Sequence, residues 1–185
     1  MFASNLSLPR LTSAIAVAAL AVGAVTAVPS IARAAVTCFD FETIAAGSTF
    51  NIGDTLTIPT GEVRMVPLLP NAPSFGFARV VVSNFANGSI DQELNLNNIG
   101  MRIVLDETCD RAAFRYDDHG GHVNFELNGD VFEVDDLSDL SLPGVTVTEN
   151  VVAGGKRGVV TIEGDIDSFG VGGQEFHIDD VCIDC

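Results

Sequence analysis

The chain carries three histidines, His119, His122 and His177, and their spacing is the first place to look for chemistry. His119 and His122 flank Gly120-Gly121, a pair that lets the backbone bend far enough for two imidazoles to face one site. Asp117, Asp118 or His177 would complete a tetrahedral zinc centre with room for water, the arrangement used in metal-assisted hydrolysis or hydration. Asp117-Asp118 with Glu126 or Glu175 would likewise serve as the acid and base of a glycosidase. Pairs of that kind arise by composition alone in a chain with 25 Asp and Glu, so they weigh little. The sequence contains no Gly-x-Ser-x-Gly elbow and no phosphate-binding glycine loop. Binding is therefore the leading expectation. A small metal-dependent hydrolase using His119, His122 and His177 is its rival, and a purely structural secreted protein is the third reading.

Cysteine is the other reactive type. Cys38, Cys109, Cys182 and Cys185 are an even set, which in an oxidising compartment favours two disulfides among three connectivities. If the first and last strands pair, Cys38 joins Cys182 and Cys109 is left for Cys185. The spacing Cys182-Ile183-Asp184-Cys185 also fits a redox or metal-binding motif, but it falls at the end of a strand instead of a helix start, where a thiolate would be stabilised.

The elements that must position these groups are strands. Helical spacing is almost absent after residue 34, whereas short β-branched and aromatic runs recur between Gly, Asn, Asp and Pro. Candidate strands cover 55–58, 62–68, 75–82, 100–105, 112–116, 122–127, 131–134, 145–151, 158–163 and 175–178, with Cys38-Phe39-Asp40-Phe41-Glu42 as a first strand. About ten strands predict an all-β fold, an antiparallel two-sheet β-sandwich of the jelly-roll kind. Asn128-Gly129 predicts a two-residue hairpin, residues 135–140 a polar bend or single helical turn, and 67–73, with three of the seven prolines, an irregular connection.

Residues 1–34 read as a secretory signal. Arg10 is followed by an uncharged, alanine-rich stretch, a proline at Pro29 and the small-residue pattern Ala32-Arg33-Ala34. Residues 35–185 are then one domain, expected to be secreted or periplasmic with no membrane insertion after cleavage. Removing Arg10 and Arg33 takes the nine basic residues to seven against 25 acids, and the net charge from −16 to −18. Such a chain repels nucleic acid and anionic lipid. Its carboxylates, scattered in twos and threes among apolar strands, suit a hard cation such as Ca²⁺.

The opening Phe41-Glu42 and the closing Ile178-Asp179-Asp180-Val181 together resemble the jelly-roll group that includes galactose-binding-like domains and carbohydrate-binding modules. In that group such segments bracket the domain and a structural calcium commonly lies between them. The resemblance implies calcium-ligand roles for Glu42 and Asp180, with Asp179 and Asp54 as further candidates. A narrower resemblance, over Tyr116-Asp117-Asp118-His119-Gly120-Gly121-His122-Val123-Asn124, Leu127-Asn128-Gly129 and the Gly172-Gly173-Gln174-Glu175 strand, is to a set of secreted bacterial β-sandwich proteins with no attached activity. The narrower resemblance supports the fold and leaves the function open; the leading reading is a non-catalytic binding domain, stapled by calcium and disulfides, for a glycan, a matrix component or a surface protein. Asp117, Asp118, His119, His122 and Asn124 are its candidate ligand residues. With no Trp and one Tyr, a sugar platform would have to come from an exposed Phe75, Phe77 or Phe85, or from Asp and Asn with bound calcium.

Overall fold

Two long strands organise the molecule. The computed structural model describes residues 36–68 and 75–185; the expected signal segment and most of the proline-rich connection lie outside them. Among the described residues the strands are β1 (Thr37–Phe39), β2 (Thr49–Asn51), β3 (Thr55–Ile58), β4 (Gly61–Pro67), β5 (Phe77–Ser83) and β6 (Asp91–Asn97). They continue with β7 (Ile99–Asp118), β8 (Val123–Leu127), β9 (Asp130–Val134), β10 (Val145–Val152), β11 (Gly155–Gly173) and β12 (Phe176–Asp184). All pairings are antiparallel, and hydrogen bonds link the twelve strands into one curled sheet.

The separate runs expected at 100–105 and 112–116 belong to one 20-residue strand, β7, and the run at 158–163 extends into the 19-residue β11. Their mutual register breaks between Glu163 and Ser168, so each strand bends and takes different neighbours in its two halves. The first half of β7 lies between β4 and the end of β11, which continues to β8 and β9. The second half lies between the start of β11 and β12, which continues to β6, β5 and β2. Because β7 and β11 serve both halves, the ladders do not divide into two independent sheets.

The core fills the inside of the curl. Alternation along β7, β8 and β11 points Met101, Ile103, Phe125, Phe169 and Val171 inward from one half, and along β6, β7 and β12 points Leu94, Leu96, Phe114, Tyr116, Phe176 and Ile178 inward from the other. Phe114 stacks on Phe169 across the curl at 6.3 Å, and Tyr116 on Phe176 at 5.6 Å. Asn128 and Gly129 make the expected tight turn, with φ of 50° and 92°. The turn expected over 135–140 is a short 3-10 helix, Leu137–Asp139, capped by Asp136.

Two disulfides cross-link the sheet, joining Cys38 to Cys182 and Cys109 to Cys185. Cys38 and Cys182 are direct partners across β1 and β12, which is the end-to-end pairing expected from the sequence. Among the described residues no helix is long and apolar enough to cross a membrane.

Candidate functional site

On the face of the sheet away from the core, polar side chains form a row across five strands. Register places Arg157 of β11 beside Asp117 of β7, then His177 of β12, Asn95 of β6 and Arg79 of β5. The alternation that sends Tyr116, Phe176, Leu94 and Leu96 into the core forces these neighbours outward. An outward face would normally be solvated, yet Asp117, Glu93 and Asp179 are buried at 1%, 0% and 1% exposure.

The cover is the loop 84–90 between β5 and β6. Arg157 donates from Nε to the Phe85 carbonyl and from a terminal nitrogen to the Asn84 carbonyl at 2.7 Å. Asn87 uses both amide hydrogens, bonding Asp91 Oδ2 and Asp179 Oδ2 at 2.7 Å each. Phe85 packs its ring against His119 at 4.6 Å and His177 at 4.7 Å, and the two imidazoles are 5.5 Å apart.

Each imidazole has a carboxylate beside it. His177 Nε2 is 2.8 Å from Asn95 Nδ2, so with the amide as donor the ring proton is on Nδ1, 3.2 Å from Glu93 Oε2. Glu93 Oε2 also accepts from Ser83 Oγ at 2.8 Å. His119 donates from Nδ1 to the Gly154 carbonyl at 3.0 Å, which turns Nε2 toward Asp117 Oδ1 at 3.5 Å. Neither of those last two atoms has a hydrogen-bond partner, and the same holds for Asp91 Oδ1, Glu93 Oε1 and Asp179 Oδ1.

Burial raises the affinity of Asp179, Asp117, Asp118 and Tyr116 for protons. It pushes the Asp179 carboxyl up to about 7, with Asp180, Asp91 and Glu93 adding repulsion against the opposing backbone bond from Asp180. Asp117 is raised for the same reason, with His119, Arg157 and His177 pulling the other way. Asp118 is raised by burial too, offset by the Gly120 N–H, which it accepts at 2.8 Å. Tyr116 is raised by burial and by Glu149, to which its hydroxyl donates at 3.0 Å.

The row opens to solvent at His119. One concavity of about 280 Å³ is lined by Phe85, Asn95, Asn97, His119, Glu175 and His177. A second, of about 550 Å³, shares His119, Asn97 and Glu175 and adds Asn98, Gly120, Gly121 and Gln174. Together they make a polar cleft with four side-chain amides, Asn95, Asn97, Asn98 and Gln174, in its walls.

The residues singled out from the sequence divide. Asp117, His119 and His177 come together with Phe85, and His119 lines the cleft. His122 turns instead to Asp135, 3.6 Å away, and is 65% exposed, so the expected three-imidazole zinc centre is not assembled. The intervening Gly120 and Gly121 take φ of 115° and 93°, and that bend carries the two histidines to different neighbours. Asn124 lies on β8, in another cavity. Of the four residues implied for calcium, Asp54 accepts from the Asn51 N–H at 2.7 Å, Glu42 accepts from the Gln92 N–H at 2.7 Å, and Asp180 pairs with Arg115 at 3.0 Å. Only Asp179 keeps a buried oxygen without a partner. Among the described residues, no group of three or more His, Cys, Asp or Glu is arranged to hold a metal ion.

Asn87, Asp91, Glu93, Asn95 and Arg157 are site residues that the sequence reading passed over. Strand β6 was outside its candidate strands because Asp91–Asn97 is mostly polar. The alternation Glu93-Leu94-Asn95-Leu96-Asn97 was the available signal, with one face apolar and the other amide and acid. No family model, no curated protein and no solved structure matches the chain.

Proposed function

We propose that the protein is a non-catalytic, extracytoplasmic binding domain of jelly-roll type whose ligand is a glycan, recognised in the cleft at His119. The observation that carries this reading is the lining. Asn97, Asn98 and Gln174 present amide donors and acceptors, with Asn98 Nδ2 also bonding Asn97 Oδ1 and Asn95 Nδ2 engaged by His177, Glu175 offers an acceptor, and Phe85, 38% exposed, an aromatic face at the rim. Such a surface suits a ligand rich in hydroxyls with an apolar C–H face. The fixed second layer supports it: Arg157 and Asn87 hold the loop that carries Phe85, so the platform is pre-organised. Secretion is part of the same proposal, supported by the two disulfides and the signal-like first 34 residues.

Calcium is proposed as a structural ion only in reduced form. Its fit rests on Asp91 Oδ1 and Asp179 Oδ1, two buried oxygens without partners on carboxylates that Asn87 already bridges. The other residues of the implied set are engaged elsewhere, so the four do not fit as a set. An ion bound by Asp91 and Asp179 would draw its remaining ligands from backbone carbonyls and water.

An enzymatic reading has one observation in its favour, the two imidazole–carboxylate pairs beside the cleft. Its described lining offers no hydroxyl or thiol nucleophile. Calorimetric titration with neutral oligosaccharides separates the readings. The expected result is retention without turnover, lost in Phe85→Ala and Asn97→Ala while both variants keep the parent's melting point within about 2 °C. Turnover of a probe that disappears in His119→Gln would replace the binding reading with the hydrolytic one. Capture of a matrix protein with no response to any saccharide would move the ligand class.

A further inference from the structure

Another concavity, of about 250 Å³, lies on the other half of the sheet, and the cleft at His119 makes no use of it. Register sets its floor. Val66, Gly100, Gly172 and Asn124 adjoin one another across β4, β7, β11 and β8; two residues along, Arg64, Arg102, Gly170 and Glu126 do the same. Three glycines line the groove between a wall of Asn124 and Glu126 and a wall of Val66 and Leu68, whose side chains close over Gly100 and Gly172. A β-carbon on Gly172 would come 2.7 Å from Gly100 Cα and 3.0 Å from Leu68 Cδ1. One on Gly170 would come 3.4 Å from Glu126 Oε2, beneath the ion pair that Glu126 makes with Arg102 across that strand.

The polar wall holds groups without partners. Asn124 is 6% exposed, and neither its Nδ2 nor its Oδ1 makes a hydrogen bond. Glu126, equally buried, gives Oε2 to Arg102 and leaves Oε1 unpaired. Buried polar groups are seldom left so, because each unmade bond is unfavourable. An amide presents a donor and an acceptor side by side. Two neighbouring hydroxyls on a ring match it, one donating to Oδ1 and the other accepting from Nδ2. A third hydroxyl would donate to Glu126 Oε1, and the C–H face of the ring would rest against Val66 and Leu68, which cover Gly100 and Gly172. The strands that form the groove also run directly into the cleft. Gly100 follows Asn98 by two residues, Gly172 precedes Gln174 by two, and Asn124 follows Gly121 by three.

We propose that this groove is a second saccharide subsite, taking one pyranose-sized ring with vicinal hydroxyls from a chain whose neighbouring units occupy the cleft. The extension rests on the glycan reading of the cleft, whereas the groove has its own readout in Asn124. The test is a titration of the ¹⁵N-labelled protein with neutral hexasaccharides of β-1,3- and β-1,4-linked glucose, galactose and mannose. Side-chain amide resonances of Asn124 are followed separately from those of Asn97 and Gln174. Both sets should move with one of the hexasaccharides. Asn124→Leu, which removes the unpaired amide and keeps bulk, should raise the melting temperature, weaken that hexasaccharide at least tenfold and leave the matching disaccharide bound at Asn97 and Gln174. Asn124→Ala serves the same comparison if the leucine variant does not fold. Movement of Asn97 and Gln174 at saturation with Asn124 still overturns the groove and leaves the cleft reading standing. Movement of Asn124 alone keeps the groove and overturns the cleft. No movement of either set at millimolar sugar overturns both, and an Asn124 amide that responds to replacement of residues 69–74 but to no saccharide assigns the groove to the chain's own segment.

Discussion

Asp179 combines what the sequence shows plainly with what it hides. Its place in Ile178-Asp179-Asp180-Val181 marks it as a strand-end acid, but that it lies under a loop, 1% exposed, depends on contacts 92 residues away at Asn87. Its carboxyl is pushed up to about 7 by burial, well above the roughly 4 of an unfolded chain. A folded value above the unfolded one means that the native state holds the proton more tightly. The contribution to stability is complete below about pH 4 and is lost as the pH rises through 7. In metal-free protein kept in EDTA, thermal melts between pH 4 and 8 should therefore fall across that window, and Asp179→Asn should flatten the fall and raise the melting point at pH 8. Bound calcium at Asp91 and Asp179 predicts the reverse at pH 8: Asp179→Asn would lower the melting point, and EDTA would lower that of the parent but not of the variant. His122 teaches the converse. Its spacing to His119 permits convergence, but with Gly120 and Gly121 at positive φ the loop leaves His122 beside Asp135.

Strands with alternating apolar residues were legible because period two is a property of the sequence itself, and β3, β8, β9 and β10 lie close to where that pattern puts them. The β6 strand and the loop before it were not, since the partners that bury their polar side are contributed by β7, β11 and β12. Arg157 is the residue that makes those elements one unit, bonding two loop carbonyls while its Nε stands 3.7 Å from Asp117 Oδ2. Arg157→Ala should cost about 1–3 kcal/mol, the range for charge-assisted bonds and an acid left without its cation. Amide exchange across residues 84–90 should accelerate by at least tenfold, with the amides of β10 little changed. Uniform acceleration over the sheet would show that the loop is not a separately held element. A second element-scale device is the Asn128 turn, whose side chain accepts from the Asp167 and Ser168 N–H groups and donates to the Asp165 carbonyl. Asn128→Ala should lower stability by about 2 kcal/mol in urea titration, because three bonds that fix the bend of β11 are lost together.

For the whole molecule, pattern and composition reached the all-β class, the antiparallel ladders and the end-to-end disulfide. Missing was the joining of strands into β7 and β11, because Asp106-Glu107-Thr108 and Glu163-Gly164-Asp165 look like turns in isolation and are bends within strands here. Reduction should expose how much the fold owes to cross-linking. The Cys38–Cys182 bridge spans 144 residues, and chain-entropy arguments put such a closure at about 4–5 kcal/mol. Cys38→Ser with Cys182→Ser should lower the urea midpoint in a single cooperative transition. Two separated transitions would mean that the halves of the sheet unfold independently despite sharing β7 and β11.

The position of β12 has a further consequence, in the order of events as the chain is made. It is the last strand in sequence, yet it lies between β6 and β7 in the sheet and contributes one sulfur to the first bridge, while Cys185 just beyond it supplies the second. Until those residues have been made, β7 has only β11 beside its second half and neither native cross-link can close. The chain ahead of β12 is therefore not locked by its native bridges as it is made, and the native sheet is committed only when residues 176–185 arrive.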